Sequence, residues 1–341
     1  MDGEILARAA VVCVRGTSRS GKTSLCERLI PALSARGLRV AYIKRTHHQL
    51  DLPHKASGRV WAVEPAAMMM RADDRLQVTL PAVEHHVDAL LAAVPLDVDL
   101  VLLETHTPEA FPTVLLRSLP PAEGEVVLGT WSLETIDEDA ARLEPLVAAT
   151  VVAHDLQLAR SLRTAAVFHG GHVCAGLVLG TRLALHGLST LAIELPPAKK
   201  RLIVTVETDR CAVDAIQAVT GCRPGKRTLR LLDYGKLAAT FIDQFTGNAV
   251  RVAVRGDVRD RVGAEGADRH ELQLRAYLEM PPDELFTAAP ADGSISQFDL
   301  PGPPRRRVLC VLCHEEVSDG REVTTENGLA CRPCAGTLAG A

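Results

Sequence analysis

The stretch of sequence that decides the fold is Gly16-Thr-Ser-Arg-Ser-Gly-Lys-Thr23, which fits the pattern G-x-x-x-x-G-K-[ST]. The apolar run Ala9–Val14 comes just before it, and Thr23–Ala35 follows with leucines at helical spacing. A strand, a glycine-rich turn and a helix in this order form a phosphate-binding loop. The sequence therefore predicts a nucleotide-binding domain around this stretch.

The predicted phosphate ligands lie in this loop and in the first turn of the helix. Gly16 and Gly21 allow the backbone to curl, so that successive N–H groups converge on phosphate oxygens, and the helix N-terminus adds partial positive charge. We expect Lys22 to reach the β- and γ-phosphates and Thr23 to bind Mg²⁺. The predicted nucleotide-binding residues are Gly16, Thr17, Ser18, Arg19, Ser20, Gly21, Lys22, Thr23 and Ser24.

An acidic residue, Glu104, follows the predicted strand Val98–Leu103, which is apolar enough to be covered on both faces. A carboxylate in such a position holds or orients the magnesium ion and its water shell. We therefore predict Thr23 and Glu104 as the magnesium pair, and Lys22 and Glu104 as the catalytic pair. Asp99, inside the strand, is the weaker candidate, and a surface charge is the alternative account of Glu104.

A polar segment follows the predicted second strand, Arg39–Ile43. Ligands bind at the carboxyl ends of parallel strands, so we predict that this segment meets the substrate. Paired histidines in a loop are also explained by contact with water alone. The predicted substrate-loop residues are Lys44, His47, His48 and Asp51.

Strand-like and helix-like stretches alternate up to about Asp155, which predicts an α/β parallel sheet with crossover helices, one of them Pro81–Val94. A second block, with helix candidates Val173–His186 and Lys236–Phe245, predicts a separate α+β unit. The predicted domains are residues 1–160 and 161–282, followed by a Pro- and Gly-rich linker, 283–307, and a small tail, 308–341.

Composition narrows the class of protein. The net charge of −4 gives no general affinity for nucleic acid or for an anionic membrane surface. No apolar run is long enough to span a bilayer, and the N-terminal residues lack the basic-then-apolar layout of a signal peptide. We therefore expect a cytoplasmic protein without nucleic-acid or membrane partners.

The first domain resembles the family of molybdopterin-guanine dinucleotide biosynthesis protein B (MobB). The family's Ile-Lys strand end and its Thr-His-His…Asp segment are matched by Ile43-Lys-Arg-Thr-His-His-Gln-Leu-Asp51. Its later Val-Glu-Gly-Phe segment corresponds to Leu103-Glu-Thr-His106, where the Glu agrees and the Gly-Phe does not. The resemblance covers roughly residues 9–117. It implies GTP binding and an assisting role in attaching guanosine monophosphate to molybdopterin, and it leaves slow hydrolysis open.

Three potential ligands of a thiophilic metal crowd the segment His169-Gly-Gly-His-Val-Cys174, and a fourth, Cys211, follows a predicted strand. We place Asp209 as a helix N-cap and Cys211 in the first helical turn, where the helix dipole favours a thiolate. Imidazole and thiolate suit Zn²⁺ or a similar ion. The alternative is that both cysteines are small buried residues. The predicted pocket ligands are His169, His172, Cys174 and Cys211.

The tail contains two Cys-x-x-Cys pairs separated by seventeen residues, which is the spacing of a four-thiolate zinc site. A segment this short needs the metal to fold, so we predict a structural zinc finger of treble-clef or zinc-ribbon type. A redox role is the alternative. The predicted zinc ligands are Cys310, Cys313, Cys331 and Cys334.

The middle block resembles the FmdE family, which takes its name from a component of formylmethanofuran dehydrogenase. That family's Glu-Thr-Asp-Arg-Cys…Thr-Gly-Cys and Asp-Tyr-Gly-Lys segments are matched by Glu207–Cys222 and Asp233–Lys236. The His-x-Cys segment carries one extra Gly after His169. The resemblance implies an α+β core with a cysteine-bearing pocket, commonly followed by a zinc finger, and Lys226 and Lys236 are candidate contacts for an anionic ligand there.

Taken together, these features predict a fusion of a MobB-like P-loop domain, an FmdE-like domain and a zinc finger. The leading interpretation is a GTP-binding accessory protein for molybdenum or tungsten cofactor enzymes, which uses Mg²⁺ and Zn²⁺, with molybdopterin as a further candidate ligand. The expected partner is the molybdenum cofactor guanylyltransferase or a molybdo- or tungsto-enzyme, and the expected assembly is a homodimer. The alternatives are a small-molecule kinase, with Glu104 or Asp51 as base, and a nucleotide-switched adaptor or regulator.

Overall fold

The structure is a computed structural model that describes residues 9–44, 59–60, 62–63, 68–71, 73, 76–79, 87–151, 155–262 and 269–336. The chain divides between Leu156 and Gln157 into two compact units. The predicted substrate-loop residues His47, His48 and Asp51, and residues 81–86 of one predicted helix, lie outside the described residues.

The first unit is built on a five-stranded sheet in the order β2-β5-β1-β6-β7, and its neighbouring strands run parallel. This confirms the predicted P-loop type of sheet. A separate hairpin, β3 with β4, completes the described strands of this unit. The strands are β1 (Ala10–Arg15), β2 (Val40–Lys44), β3 (Met68–Arg71), β4 (Leu76–Thr79), β5 (Leu100–Thr105), β6 (Thr113–Leu116) and β7 (Val127–Trp131).

Three helices are described in this unit: α1 (Lys22–Ala35), α2 (Val87–Ala92) and α3 (Ile136–Ala148). The leucines of α1 that recur at helical spacing are fully buried against β1 and β5, with Leu25, Leu29 and Leu33 all at 0% exposure. Each strand lies inside the sheet with both faces covered, and its residues before Arg15 in β1 and before Glu104 in β5 are apolar. Their register sets Val14 opposite Glu104, so β1 and β5 end side by side.

The second unit contains a five-stranded sheet in the order β12-β11-β10-β8-β9, in which β8 and β9 are parallel and the other neighbours antiparallel. This is the α+β arrangement that we predicted. Its strands are β8 (Leu202–Val206), β9 (Leu229–Leu231), β10 (Ala238–Asp243), β11 (Ala249–Val254) and β12 (Phe286–Pro290). Its helices are α4 (Leu156–Phe168), α5 (Ala175–Thr190), α6 (Ala212–Thr220), α7 (Val258–Arg261), α8 (Arg269–Glu279) and α9 (Pro282–Leu285).

Two predictions for this unit are wrong. The helix predicted at Lys236–Phe245 is strand β10, in the middle of the sheet, where Ala239 and Phe241 are fully buried between two antiparallel neighbours. The predicted linker 283–307 begins too early, because β12 pairs with β11 as the edge strand of the sheet. A proline at the end of an edge strand breaks no internal ladder, so Pro290 is compatible with this place.

The tail forms two short hairpins, β13 (Arg307–Leu309) with β14 (Glu316–Ser318), and β15 (Glu322–Thr325) with β16 (Gly328–Cys331). It is fastened to the α+β core through Arg227. The guanidinium donates to the carboxylate of Asp319 and to the carbonyl of Phe298. Asp319 also accepts hydrogen bonds from the backbone N–H groups of Arg305, at 2.6 Å, and Arg306, at 3.3 Å.

No helix within the described ranges combines the length and the apolar character needed to cross a membrane.

Candidate functional sites

The phosphate-binding loop has the backbone shape that its glycines allow. Gly21 has a φ of +97°, a left-handed conformation that favours glycine. A Cβ on Gly16 would come within 2.6 Å of the Ser20 hydroxyl and 3.3 Å of the Trp131 ring. The Gly16 N–H donates to the Thr105 carbonyl at 3.3 Å, which ties the start of the loop to the end of β5.

Lys22 lies under this loop and is only 3% exposed. Its Nζ donates to the Gly16 carbonyl at 3.1 Å and to the Thr17 carbonyl at 2.6 Å. Burial lowers the pKa of the Lys22 ammonium, and the nearby Glu104 carboxylate opposes that shift. The ammonium is thus held in place by the loop itself, with a third proton left for a further partner.

Glu104 and Thr23 meet as predicted by the sequence. The Thr23 hydroxyl donates to Glu104 Oε2 at 2.8 Å, and Glu104 is only 6% exposed. A hydroxyl and a carboxylate oxygen at this separation are the hard ligands that suit Mg²⁺. Asp99, the weaker candidate, instead accepts a hydrogen bond from the Arg39 backbone N–H at 2.9 Å and stabilises the start of the strands.

Two other groups hold the Glu104 carboxylate. The Tyr42 hydroxyl donates to Oε2 at 2.5 Å, and Lys44 Nζ lies 3.3 Å from Oε1 and 3.1 Å from the Thr23 hydroxyl. Although burial raises it, the pKa of the Glu104 carboxyl is held below its ordinary value by the hydrogen bonds from Tyr42, Thr23 and Lys44. Lys44 is the one predicted substrate-loop residue that the structure describes.

Sequence reasoning missed Tyr42 and His106. Tyr42 lies opposite Leu102 in the register of β2 and β5, so the order of the strands, which the sequence does not state, brings its hydroxyl to Glu104. His106 follows β5 directly, and its Nδ1 lies 3.3 Å from Lys22 Nζ. The available signal was its place two residues after Glu104, at a strand end that faces the loop.

A second candidate site, in the α+β unit, brings together His169, His172 and Cys174. Each offers one ligand atom, and these atoms lie within 4.8 Å of one another. The two imidazole rings are 4.6 Å apart between centroids. Gly170 and Gly171 have φ values of +84° and +92°, so the glycine pair forms a left-handed turn that keeps both histidines on one side.

The fourth predicted ligand, Cys211, is outside this group of three, but Cys174 and Cys211 occupy the starts of adjacent helices. Cys174 precedes α5 and its Sγ accepts the Leu177 backbone N–H at 3.4 Å. Cys211 precedes α6, and a Cβ on Gly176 would be 3.9 Å from both sulfurs. We predicted Asp209 as the N-cap and Cys211 as a thiolate in the first turn. The N-cap prediction is wrong, because Cys211 itself is the N-cap of α6, which starts at Ala212. Burial raises the pKa of the Cys211 thiol and Cys174 raises it further, opposite to the expected effect of the helix dipole.

Asp214 is a further group at this site that sequence reasoning missed. Its Oδ2 lies 2.7 Å from His169 Nδ1. A carboxylate on one ring nitrogen fixes the orientation of an imidazole and leaves the other nitrogen for a metal. The signal was an acidic residue in the first turn after Cys211. Imidazole and thiol side chains so arranged fit a thiophilic ion such as Zn²⁺.

The predicted anion contact Lys226 lies elsewhere. It lines a cleft of about 670 Å³ together with Lys199 and Lys200, and Thr220 and Gly221 place this cleft at the C-terminal end of α6. The Cys174–Cys211 pair lies at the opposite, N-terminal end of that helix. The structure therefore separates Lys226 from the cysteine-bearing site.

The four cysteines of the finger also come together, with their sulfurs within 4.8 Å of one another. Cys313 Sγ and Cys331 Sγ are 3.9 Å apart. A zinc ion with Zn–S bonds of about 2.3 Å sets its sulfurs at about 3.8 Å, so the cluster fits a tetrahedral zinc. Backbone N–H groups of Cys313 and Cys331 lower the pKa of the Cys310 thiol to about 6, whereas the neighbouring thiols of Cys331 and Cys313 raise the pKa of Cys334 to about 12.

Two models of known protein families match separate parts of the chain. The family model described as molybdopterin guanine dinucleotide synthesis protein B matches residues 11–125. The model described as FmdE, molybdenum formylmethanofuran dehydrogenase operon, matches residues 168–287. The chain therefore carries a MobB-type P-loop domain followed by an FmdE-type domain.

Three curated relatives each match 29–30% of the chain. The molybdopterin-guanine dinucleotide biosynthesis adapter protein of Haemophilus influenzae is 35% identical over 114 residues, which are 30% of this chain and 61% of that protein. The adapter protein of Escherichia coli is 35% identical over 106 residues, 29% of this chain and 60% of that protein. A probable S-adenosyl-L-methionine-binding protein of Archaeoglobus fulgidus is 33% identical over 104 residues, 30% of this chain and 28% of that protein. The chain thus spans less than two thirds of each of these relatives.

Solved structures give the same two kinds of neighbour. An FmdE-like protein of tungsten formylmethanofuran dehydrogenase type from Syntrophus aciditrophicus has a TM-score of 0.38 and 21% identity, and covers 54% of this chain and 95% of its own. Bacillus subtilis MobB has a TM-score of 0.32 and 18% identity, and covers 42% of this chain and 98% of its own.

Proposed function

We propose that this chain is a GTP-binding accessory protein for the biosynthesis or insertion of the molybdenum or tungsten cofactor in its molybdopterin guanine dinucleotide form. The observation that carries the proposal is the contact of Glu104 with Thr23 of the phosphate loop, at 2.8 Å. This contact lies inside the segment that matches the MobB family model and supports a triphosphate site there. The guanine preference comes from that match and from the names of the relatives.

The nucleotide site supports binding more than phosphate transfer. In this proposal Lys22 contacts the β- and γ-phosphates, and Thr23 and Glu104 hold Mg²⁺, which would neutralise charge on the phosphate oxygens. A general base works best when its pKa lies near the operating pH. Glu104 has a lowered pKa and receives hydrogen bonds from three side chains, so it is poorly suited to deprotonate a substrate hydroxyl. This weighs against the kinase alternative that uses Glu104 as base.

In this proposal the FmdE-type domain holds a thiophilic metal, or a pterin thiolate ligand with it, through His169, His172, Cys174 and Cys211. Asp214 orients the first of these ligands. The partner would be the molybdenum cofactor guanylyltransferase or a molybdo- or tungsto-enzyme. The protein would bind this partner as a homodimer, in the cytoplasm. The finger is the proposed contact module, because Leu309 and Leu312, on either side of its first cysteine, are 65% and 52% exposed.

The test is nucleotide binding by the purified full-length protein. We expect Mg²⁺-dependent binding of GTP, tighter than that of ATP, which Lys22→Ala abolishes without changing the metal content. Lys199→Ala is the matched control, since it removes an exposed lysine of the other unit. Addition of molybdopterin should change the affinity for GTP. Normal GTP binding by the Lys22 variant would refute the loop assignment, and a strong ATP preference without any pterin effect would refute the cofactor role.

A further inference from the structure

His106 is fastened to the phosphate loop by two contacts of a single nitrogen. Its Nδ1 lies 3.0 Å from the Gly16 carbonyl oxygen and 3.3 Å from Lys22 Nζ. The residue before it, Thr105, accepts the Gly16 backbone N–H at 3.3 Å. The imidazole is exposed while Lys22 is buried, so the ring lies at the mouth of the site, between the buried ammonium and solvent.

The two contacts make opposite demands on Nδ1. Towards the Gly16 carbonyl the nitrogen must donate a proton, whereas towards the Lys22 ammonium it must accept one. A single ring nitrogen does one or the other. Lys22 has three protons, and the carbonyls of Gly16 and Thr17 take two of them. In the tautomer whose Nδ1 is an acceptor, His106 is the partner of the third proton, the one that an anionic ligand would take.

The position of this contact along a bound nucleotide follows from the loop. Backbone N–H groups of such a loop surround the α- and β-phosphates, and the lysine reaches on to the β- and γ-phosphates. The pair of Thr23 and Glu104 serves the magnesium that bridges the β- and γ-oxygens. A group that contacts Lys22 from the end of β5, two residues after Glu104, lies at the γ-phosphate end of the site.

We infer that His106 is the residue by which this site distinguishes a nucleoside triphosphate from a diphosphate, an inference that rests on the proposed nucleotide binding. When a triphosphate binds, a γ-phosphate oxygen takes the third proton of Lys22, and a ring N–H of His106 is free to donate to the same phosphate. A diphosphate gives Lys22 the β-phosphate alone, and it has no γ-phosphate oxygen to accept the ring N–H of His106. The side chain thus strengthens triphosphate binding alone.

The test compares the affinities of the full-length protein for Mg²⁺·GTP, a non-hydrolysable GTP analogue and Mg²⁺·GDP by calorimetry. His106→Ala removes the ring, and His106→Asn and His106→Gln keep an N–H group near the place of one ring nitrogen or the other. A hydrogen bond to a charged acceptor changes an equilibrium by about tenfold or more. We expect His106→Ala to lower the GTP-to-GDP affinity ratio about tenfold with GDP affinity kept within about twofold, and one amide variant to restore part of the ratio.

An unchanged ratio in His106→Ala, or equal weakening of both nucleotides in all three variants, overturns the inference. Retained GDP binding shows that a variant is folded. Lys22→Ala separates this result from the proposed function. If the wild-type protein binds no nucleotide, or binds it independently of Lys22, the proposed function fails as well. If nucleotide binding depends on Lys22 but the GTP-to-GDP affinity ratio is the same in the wild type and the His106 variants, only the role of His106 is refuted. ATP and ADP, measured in the same way, show whether the effect is independent of the base.

Discussion

Gly180→Ala tests whether the close packing of α5 against α6 sets the geometry of the cysteine-bearing site. A Cβ on Gly180 would lie 2.6 Å from Ala212 Cα and 2.9 Å from the Ala212 carbonyl oxygen. Ala212 is 1% exposed and directly follows Cys211. Backbone atoms cannot rotate away as a side chain can. The added methyl group must therefore move the start of α6.

The expected size of the effect follows from these distances. Ordinary contact begins at 3.4 Å, so α5 and α6 must separate by about 0.8 Å at this point. Alanine in a helix gains about 1 kcal/mol over glycine, while an overpacked methyl group costs about 1–3 kcal/mol. We expect a net loss of about 1 kcal/mol in the free energy of unfolding. The same displacement carries Cys211 away from Cys174, and metal affinity should fall about tenfold, as for other changes behind the ligands.

Gly187→Ala is the matched control, because it lies on the same helix and its added methyl group would run into the Phe241 ring instead. The stability of both variants is measured by unfolding in urea. In a separate experiment, the folded variants are titrated with a chelator while zinc release is followed. Zinc in the finger is common to both and cancels in the comparison. We expect both to lose stability and Gly180→Ala alone to lose metal affinity from the second site. Equal metal affinities in the two variants would refute the role of the α5–α6 contact.

Three other changes probe the rest of the molecule. Cys310→Ser should lower the zinc content by about one ion per chain, measured by elemental analysis, with GTP binding unchanged. Arg227→Ala should free the finger, so that protease cuts the segment before it about tenfold faster at unchanged zinc content. The pKa of Asp139 is lowered to about 2, chiefly by hydrogen bonds from Arg142 and Thr135 that outweigh its burial. The Asp139 carboxylate therefore contributes about 1 kcal/mol, after solvent screening, to the free energy of unfolding. This contribution is fully present above the unfolded pKa near 3.8 and is lost as the pH falls towards 2. The urea midpoint of Asp139→Asn should therefore change less with pH over that range.

The sequence predicted the features that depend on neighbouring residues. The phosphate loop is a local feature, since the glycines, Lys22 and the following helix come one after another in the sequence. Glu104 was accessible as well, because parallel strands end at one edge of their sheet and a carboxylate after such a strand faces the loop. The four finger cysteines were predicted for a similar reason, since the spacing within each pair allows two sulfurs to meet one ion.

The groups that were missed depend on contacts between distant segments. Tyr42 and His106 reach the loop only because β2, β5 and β1 lie side by side, and Asp214 reaches His169 across 45 positions of sequence. Strand β10 lies in the segment predicted as a helix, and its alanines do favour helices in isolation. Its hydrogen-bonding partners, β8 and β11, override that preference once the sheet forms.

The contact of Arg227 with Asp319 has a consequence for how this chain can change over evolution. A zinc finger whose hydrogen bonds are all internal can be moved from protein to protein as a cassette. Here the carboxylate that closes a turn of the finger also receives the guanidinium of the core, and Arg227 has a φ of +58° in doing so. Substitution at position 319 leaves Arg227 with Phe298 and Asp299 alone, and substitution at position 227 leaves Asp319 without the guanidinium of the core. The finger and the core are therefore expected to diverge as one lineage, with changes at position 227 matched by changes at position 319.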